Sequence, residues 1–291
     1  MKRSRLRVNG IGIQIEDHGG HFAPLVFLHF GGGNLRMWDS SIPSFVDGYR
    51  CIALDLRGHG NSDAPPTGYH IDDMARDVAG VIRELGIESA HVLGSSIGAE
   101  VGLSLAANHA ESVRSLVLDG AFCSEFGSYG LRAAASPTED GEVQAQLQRL
   151  RDSEERSFDT LEEAVQVLSE VYREHDLWNP SMEAMIRYGI VEDANGRFVS
   201  AWRKWAKDRY MEIYFNLRLE EYYGKLACPA ILLTGETPED DPACYGIMEK
   251  LCALAANCRL IQAPGAMHPF GWLLDPKPMV RATRTFLNSV R

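Results

Sequence analysis

The amino-acid sequence predicts an α/β protein with a mostly parallel eight-stranded sheet flanked by helices, and three observations point there. Short apolar runs that end in glycine alternate with helical patterns over residues 1–122, and the same alternation resumes at residue 228. Strands covered on both faces lose the period-two alternation, and tight strand–helix–strand succession gives right-handed parallel crossovers. Between these two stretches, residues 123–227 hold helical patterns rich in Glu, Arg and aromatics, with no run that reads as a buried strand.

Taken in order, residues 6–8 and the period-two isoleucines 11, 13 and 15 flank Asn9-Gly10, a dipeptide suited to a type I′ hairpin turn. Residues 24–30 form a strand closed by Gly31, Gly32 and Gly33, and residues 49–55 another, followed by Arg57-Gly58-His59-Gly60. Met74, Val78, Val81, Ile82 and Leu85 recur at helical spacing over residues 71–85, with Gly86 as the stop signal. A strand at 90–93, a helix at 97–107 and a strand at 113–118 complete the first half. The insert is expected to be helical at 161–175, 182–188 and 199–214. Strands at 229–234 and 258–262, with helices at 245–256 and 278–290, finish the chain. The organisation expected is a core of residues 1–122 and 228–291, and a helical lid of residues 123–227 over the carboxyl edge of the sheet, where open α/β sheets bind ligands.

Composition narrows the function. The 291 residues carry 29 basic and 40 acidic side chains, a formal charge of −11, which argues against nucleic acid or an anionic membrane as a partner. Six scattered cysteines without C-x-x-C spacing read as buried thiols of a reducing compartment, so neither a disulfide framework nor a metal site is expected. The basic start of the chain is not followed by an apolar signal segment, and no run is long enough to span a bilayer; a cytoplasmic location is the expectation. Residues 124–225 hold 13 basic and 20 acidic side chains, a net −7, so the mouth of a site beneath the lid is expected to favour neutral or cationic substrates.

The chemistry is signalled by Gly94-Ser95-Ser96-Ile97-Gly98, a G-x-S-x-G placed after a predicted strand and before a predicted helix. Such a turn strains the central residue, lifts its hydroxyl above the sheet and sets it at a helix N-terminus that favours developing negative charge. Ser96 is thus the candidate nucleophile. His268, in the glycine-bearing loop after the last strand, is the candidate base, while His29 and His59 read as local hydrogen-bonding residues of glycine loops.

The acid is ambiguous. The loop after residues 229–234 reads Gly235-Glu236-Thr237-Pro238-Glu239-Asp240-Asp241, and Pro238 sits where a carboxylate would be ordinary. Asp241 is preferred, then Asp240, with Asp119 as the rival; strand alternation counted from Val113 aims Gly120, not Asp119, at the histidine. Backbone N–H groups of Gly31 and Ile97 are expected to form an oxyanion hole. Phosphate binding by the Gly31–Gly33 run is disfavoured, since no P-loop lysine follows.

With Leu28-His29-Phe30-Gly31-Gly32, Asp55-Leu56-Arg57-Gly58-His59-Gly60-Asn61-Ser62, the serine turn and Gly265-Ala266-Met267-His268, the chain resembles the α/β-hydrolases throughout, apart from the lid. The stretch from Met37-Trp38-Asp39 to Asp63-Ala64-Pro65 is similar to enol-lactone hydrolases and related carboxylesterases. Thr237-Pro238 with Pro264–His268 is similar, more faintly, to the zearalenone lactonases, whose acid comes from the earlier strand; that resemblance favours Asp119. The family implies an α/β-hydrolase fold with the lid inserted after strand 6, a serine nucleophile and no cofactor, and argues against haloalkane dehalogenase chemistry.

Three departures stand out: Phe30 replaces the usual glycine, Pro238 displaces the acid, and Ala99-Glu100 puts a carboxylate one turn from Ser96. Glu100 reads as a solvated or ion-paired helix residue. The activity expected is hydrolysis of an apolar or aromatic ester or lactone through an acyl-enzyme. Trp38 and Met267 are expected to touch substrate, with about three of Trp178, Trp202, Trp205, Tyr210, Tyr214, Phe215, Tyr222 and Tyr223. The alternatives are carbon–carbon bond hydrolysis or a lyase reaction by the same triad, or a receptor-like protein with little turnover. Oligomeric state is open, a homodimer being one arrangement.

Overall fold

A computed structural model describes residues 1–290 of the chain. Strands β1 (Lys2–Val8) and β2 (Ile11–Asp17) pair antiparallel around Asn9 and Gly10, whose φ angles of 49° and 83° give the hairpin its left-handed turn. Strands β3 (Pro24–Leu28), β4 (Arg50–Leu54), β5 (Ala90–Ser95) and β6 (Val113–Asp119) follow. Beyond the lid, the eight-stranded sheet is completed by two more strands, at Ala230–Thr234 and Cys258–Gln262. Every pairing from β4 onward across the sheet is parallel, in the order β1, β2, β4, β3, β5, β6 and then the two late strands.

Because successive side chains point to opposite faces, each central strand feeds two cores. On one face Val26, Leu28, Val92 and Leu116 pack with Ile71, Val78 and Ile82 of α1 (Ile71–Glu84) and with Val101 and Leu105 of α2 (Ile97–Asn108). On the other, Leu25, Phe27, Leu93 and Val117 pack with Trp38, Phe45, Trp272 and Phe286. His70 caps α1 by accepting from the Asp72 amide, and Asp72 and Asp73 in its first turn complement the helix dipole.

Residues 123–227, the expected lid, hold α3 (Gly141–Asp152), α4 (Leu161–Glu174), α5 (Pro180–Tyr188), α6 (Lys204–Tyr214) and α7 (Glu220–Tyr223). They also carry strands, contrary to expectation: β7 (Ser157–Phe158), β8 (Ile190–Glu192) and β9 (Phe198–Ser200) form a three-stranded antiparallel sheet. The helix expected over 199–214 therefore begins only at Lys204. The signal was present: Asn195-Gly196 separates Ile190-Val191 from Phe198-Val199, and the Asp193 carboxylate accepts from the Asn195 and Arg197 amides to close the turn. Strands of two or three residues carry too little pattern to outweigh the helical sequence around them. The two late core strands are β10 (Ala230–Thr234) and β11 (Cys258–Gln262), followed by α8 (Pro242–Ala253), α9 (Gly271–Leu274) and α10 (Lys277–Ser289) in their places along the chain. Among the described residues no helix is long and apolar enough to cross a membrane.

Candidate active site

Ser96 lies between β5 and α2 with φ 52° and ψ −120°, a conformation that side chains rarely adopt. The glycines two residues away make it feasible. A Cβ on Gly94 would come within 2.2 Å of the Gly98 carbonyl oxygen, and one on Gly98 within 2.2 Å of the Leu28 carbonyl oxygen. The Ser96 amide donates to the Asp119 carbonyl at 2.7 Å, tying the turn to the end of the neighbouring strand.

The acid that faces His268 is Asp119. His268 Nδ1 donates to Asp119 Oδ1 at 2.9 Å, while Ser95 Oγ and Trp272 Nε1 donate to Oδ2 at 2.8 and 2.9 Å. Three donors on one buried carboxylate fix its plane. Asp241 and Asp240 are engaged elsewhere: Asp241 caps α8 by accepting from the Cys244 amide, and Asp240 accepts from Thr237 N and Oγ1. The strand count that favoured Gly120 fails because the ladder stops one residue earlier. Asp119 pairs with Ser95 as the last rung, and the chain then leaves the sheet at Gly120 with φ 136°.

Ser96 and His268 line one cavity of about 420 Å³, together with Gly31 and Ile97, the two expected oxyanion residues. Its wall is largely aromatic: Phe30, Phe122, Tyr172, Trp202, Tyr210 and Tyr214. Three of the eight lid aromatics singled out in the sequence are therefore in place, and Phe122 and Tyr172 are additions that no local pattern marked. The His268 ring rests edge-on against Phe122, 4.9 Å between centroids. Trp38 and Met267 are not among the lining residues. Trp38 is 0% exposed, because it ends the short 3-10 turn Leu35–Trp38, whose Leu35, Met37 and Trp38 are all buried, and it packs on Phe27 and Trp272 in the core; Met267 is 51% exposed.

Glu100 departs furthest from expectation. It is neither solvated nor ion-paired: it is 5% exposed, lines the cavity, and its Oε2 accepts from Tyr210 Oη at 2.6 Å. Burial raises its carboxyl to about 7, against the lowering effects of the Tyr210 hydrogen bond and the nearby His268. In the glycine loops, His29 Nδ1 donates to the Phe30 carbonyl at 2.7 Å and Nε2 accepts from the Leu56 amide at 3.0 Å, and burial lowers its pKa to about 4. His59 stacks on Trp202, 4.9 Å between centroids, joining core to lid.

A second cavity of about 610 Å³ adjoins the first and shares Gly31, Tyr172 and Trp202 with it. Its wall carries Arg149, Arg156, Lys204 and Lys207 against Glu154, Glu155 and Asp208. The net −7 of residues 124–225 is therefore not concentrated on this wall, where four basic side chains stand with three acidic ones. Among the described residues no group of three or more His, Cys, Asp or Glu side chains is placed to hold a metal ion.

Comparison with known proteins identifies a family. Residues 23–269 match the family model described as alpha/beta hydrolase fold. The chain is 36% identical over 114 residues to 2-(acetamidomethylene)succinate hydrolase of Mesorhizobium japonicum, covering 39% of this chain and 40% of that protein. It thus spans less than half the length of the curated relatives that it matches. A solved structure of E-2-(acetamidomethylene)succinate hydrolase superposes with TM-score 0.75 at 24% identity, over 99% of each chain. The enol-lactonase from Burkholderia xenovorans LB400 gives 0.71 at 23% identity, over 98% of this chain and all (100%) of the other. At these identities the likeness is one of fold, and the family match over residues 23–269 places the chain in the α/β-hydrolase fold family.

Proposed function

We propose that the protein is a serine hydrolase that cleaves a carboxylic ester or lactone. The observation that carries the reading is the juxtaposition of a strained Ser96 at a helix N-terminus with His268, whose Nδ1–H is bonded to Asp119, on the wall of one cavity. His268 Nε2 would take the Ser96 proton as Oγ attacks the carbonyl carbon. Asp119 would hold the imidazole in the tautomer that leaves Nε2 free to accept, and would stabilise the imidazolium. The amides of Gly31 and Ile97 would hold the tetrahedral oxyanion, and water activated by the same histidine would release the acyl group. The aromatic wall supports an apolar or aromatic acyl portion.

A fluorophosphonate probe tests this directly. We expect one mass addition, on Ser96, and a fall in ester turnover of several orders of magnitude in Ser96→Ala. Full esterase activity in that variant would end the proposal. Turnover of vinylogous diketones, with none of esters or lactones, would move the chemistry to carbon–carbon bond hydrolysis.

A further inference from the structure

We propose that Glu100 is a specificity-determining residue: it recognises a protonated amine carried by the acyl portion of the substrate. This rests on the hydrolase reading of the same cavity. Glu100 lies four residues after Ser96, in the first turn of α2; its amide donates to the Ser96 carbonyl at 3.1 Å, and both residues line the same chamber. It lines the chamber but not the adjoining outer cavity, which shares only Gly31, Tyr172 and Trp202 with that chamber. The leaving alcohol must depart while the acyl group stays on Ser96. We take the adjoining cavity as the side by which the alcohol leaves, so the wall bearing Glu100 faces the part that stays.

The chemistry of that wall is one-sided. With Glu100 the chamber is lined by Ala121, Phe122, Cys123, Met211 and Tyr214, and among the described residues His268 is its one basic side chain, with no lysine or arginine. The other nearby carboxylate, Glu125, is already satisfied, accepting from Tyr214 Oη at 2.7 Å and Arg132 Nε at 2.7 Å. For Glu100 only the Tyr210 hydroxyl is bonded to the carboxyl among the described residues. A buried carboxylate without a cation is costly, and the cost falls when a ligand supplies the cation. An ammonium would gain a charge-assisted hydrogen bond here, a hydroxyl a weaker one, a methyl none, and a carboxylate would meet repulsion. The carboxyl's raised pKa agrees with a group that lacks its counter-charge until substrate arrives.

The test uses 4-nitrophenyl alkylphosphonates of matched chain length whose phosphorus-bound tail ends in methyl, hydroxyl, ammonium or carboxylate. The rate of mass addition at Ser96 is read by intact-protein mass spectrometry at pH 8. Attack by Oγ on phosphorus forms the Ser–O–P bond and expels 4-nitrophenolate, so the reading needs no turnover. We expect the ammonium tail to label about tenfold faster than the methyl tail, the carboxylate tail to be slowest, and the ammonium advantage to vanish in Glu100→Gln and Glu100→Met. Equal rates for ammonium and methyl tails in the unmodified protein would overturn the inference without any variant, as would an advantage that survives both substitutions. In those cases Ser96 still labels, and the hydrolase reading stands. No label from any tail would end that reading, and this inference with it.

Discussion

The carboxyl edge of the sheet and the lid above it meet at one cavity but are specified in opposite ways. At the sheet edge, positions are set by backbone: Ser96 by its positive φ and the two close glycines, Asp119 by the last rung of the β5–β6 ladder and three donors. In the lid, side chains are held by capping residues and partly exposed ion pairs such as Arg203–Glu155 and Lys204–Asp208. Backbone-defined geometry tolerates little substitution, whereas a helical surface can be rebuilt at low cost. On the proposed reading, one half would fix the chemistry and the other would be free to vary with the substrate.

The largest expected effect breaks this comparison at Asp119. Asp119→Asn would lower turnover by on the order of 10³–10⁴, because an amide can present its N–H to Nδ1 and so favour the wrong tautomer. Asp241→Ala would leave turnover unchanged and cost about 1 kcal/mol of stability, the value of a helix cap. Steady-state kinetics and urea midpoints on the two variants check the pair. Turnover lost in Asp241→Ala and kept in Asp119→Asn would reverse the assignment of the acid.

Much of this half was legible in the sequence, and the reasons are local. The G-x-S-x-G turn, the Asn9-Gly10 hairpin and the glycine-bearing loop before His268 each need particular residue types, so their signals survive without tertiary context. The acid did not follow, because a count of strand alternation cannot say where the ladder ends, and one residue separates Asp119 from Gly120. Trp38 was misread for a related reason: an aromatic near the oxyanion loop in sequence is carried inward by the fold. In the lid, β7, β8 and β9 were too short to register beside helical sequence, and α3 went unread although Asp140 caps it with two amide hydrogen bonds. Glu100 was the hardest, since its burial depends on Tyr210, 110 residues away in the chain.

The middle effect falls on the seam between the two regions. The Glu100 carboxyl is raised to about 7 in the folded protein from an ordinary 4.5, so the folded state binds the extra proton between those values. Stability from this group is present below pH 4.5 and is lost as pH rises through 7, a change of about 3 kcal/mol at most. Asp55, raised by burial to about 6, slopes the same way, so only the difference between variants isolates Glu100. Glu100→Gln, compared with the unmodified chain by urea unfolding at pH 5 and pH 8, should gain relative stability at the higher pH. Parallel pH profiles would show that the seam is wetter than the packing implies.

The smallest effect lies wholly in the lid. Helix α6 begins at Lys204 with no side-chain cap from Arg203; instead Glu155, across the lid, accepts from the Lys204 amide at 3.0 Å and from Arg203 Nε at 2.6 Å. The Glu155 carboxyl is held below its usual range, chiefly by the Arg203 hydrogen bond. Both side chains are 29% exposed, so water and salt screen the pair. Arg203→Met keeps the Glu155-to-amide cap and removes only the ion pair; it should cost under about 1 kcal/mol, and less still in 0.5 M salt. Calorimetry at low and high salt reads both numbers. A loss of several kcal/mol that salt does not reduce would mean that the lid is held as rigidly as the sheet edge, and that its freedom to change substrate is correspondingly small.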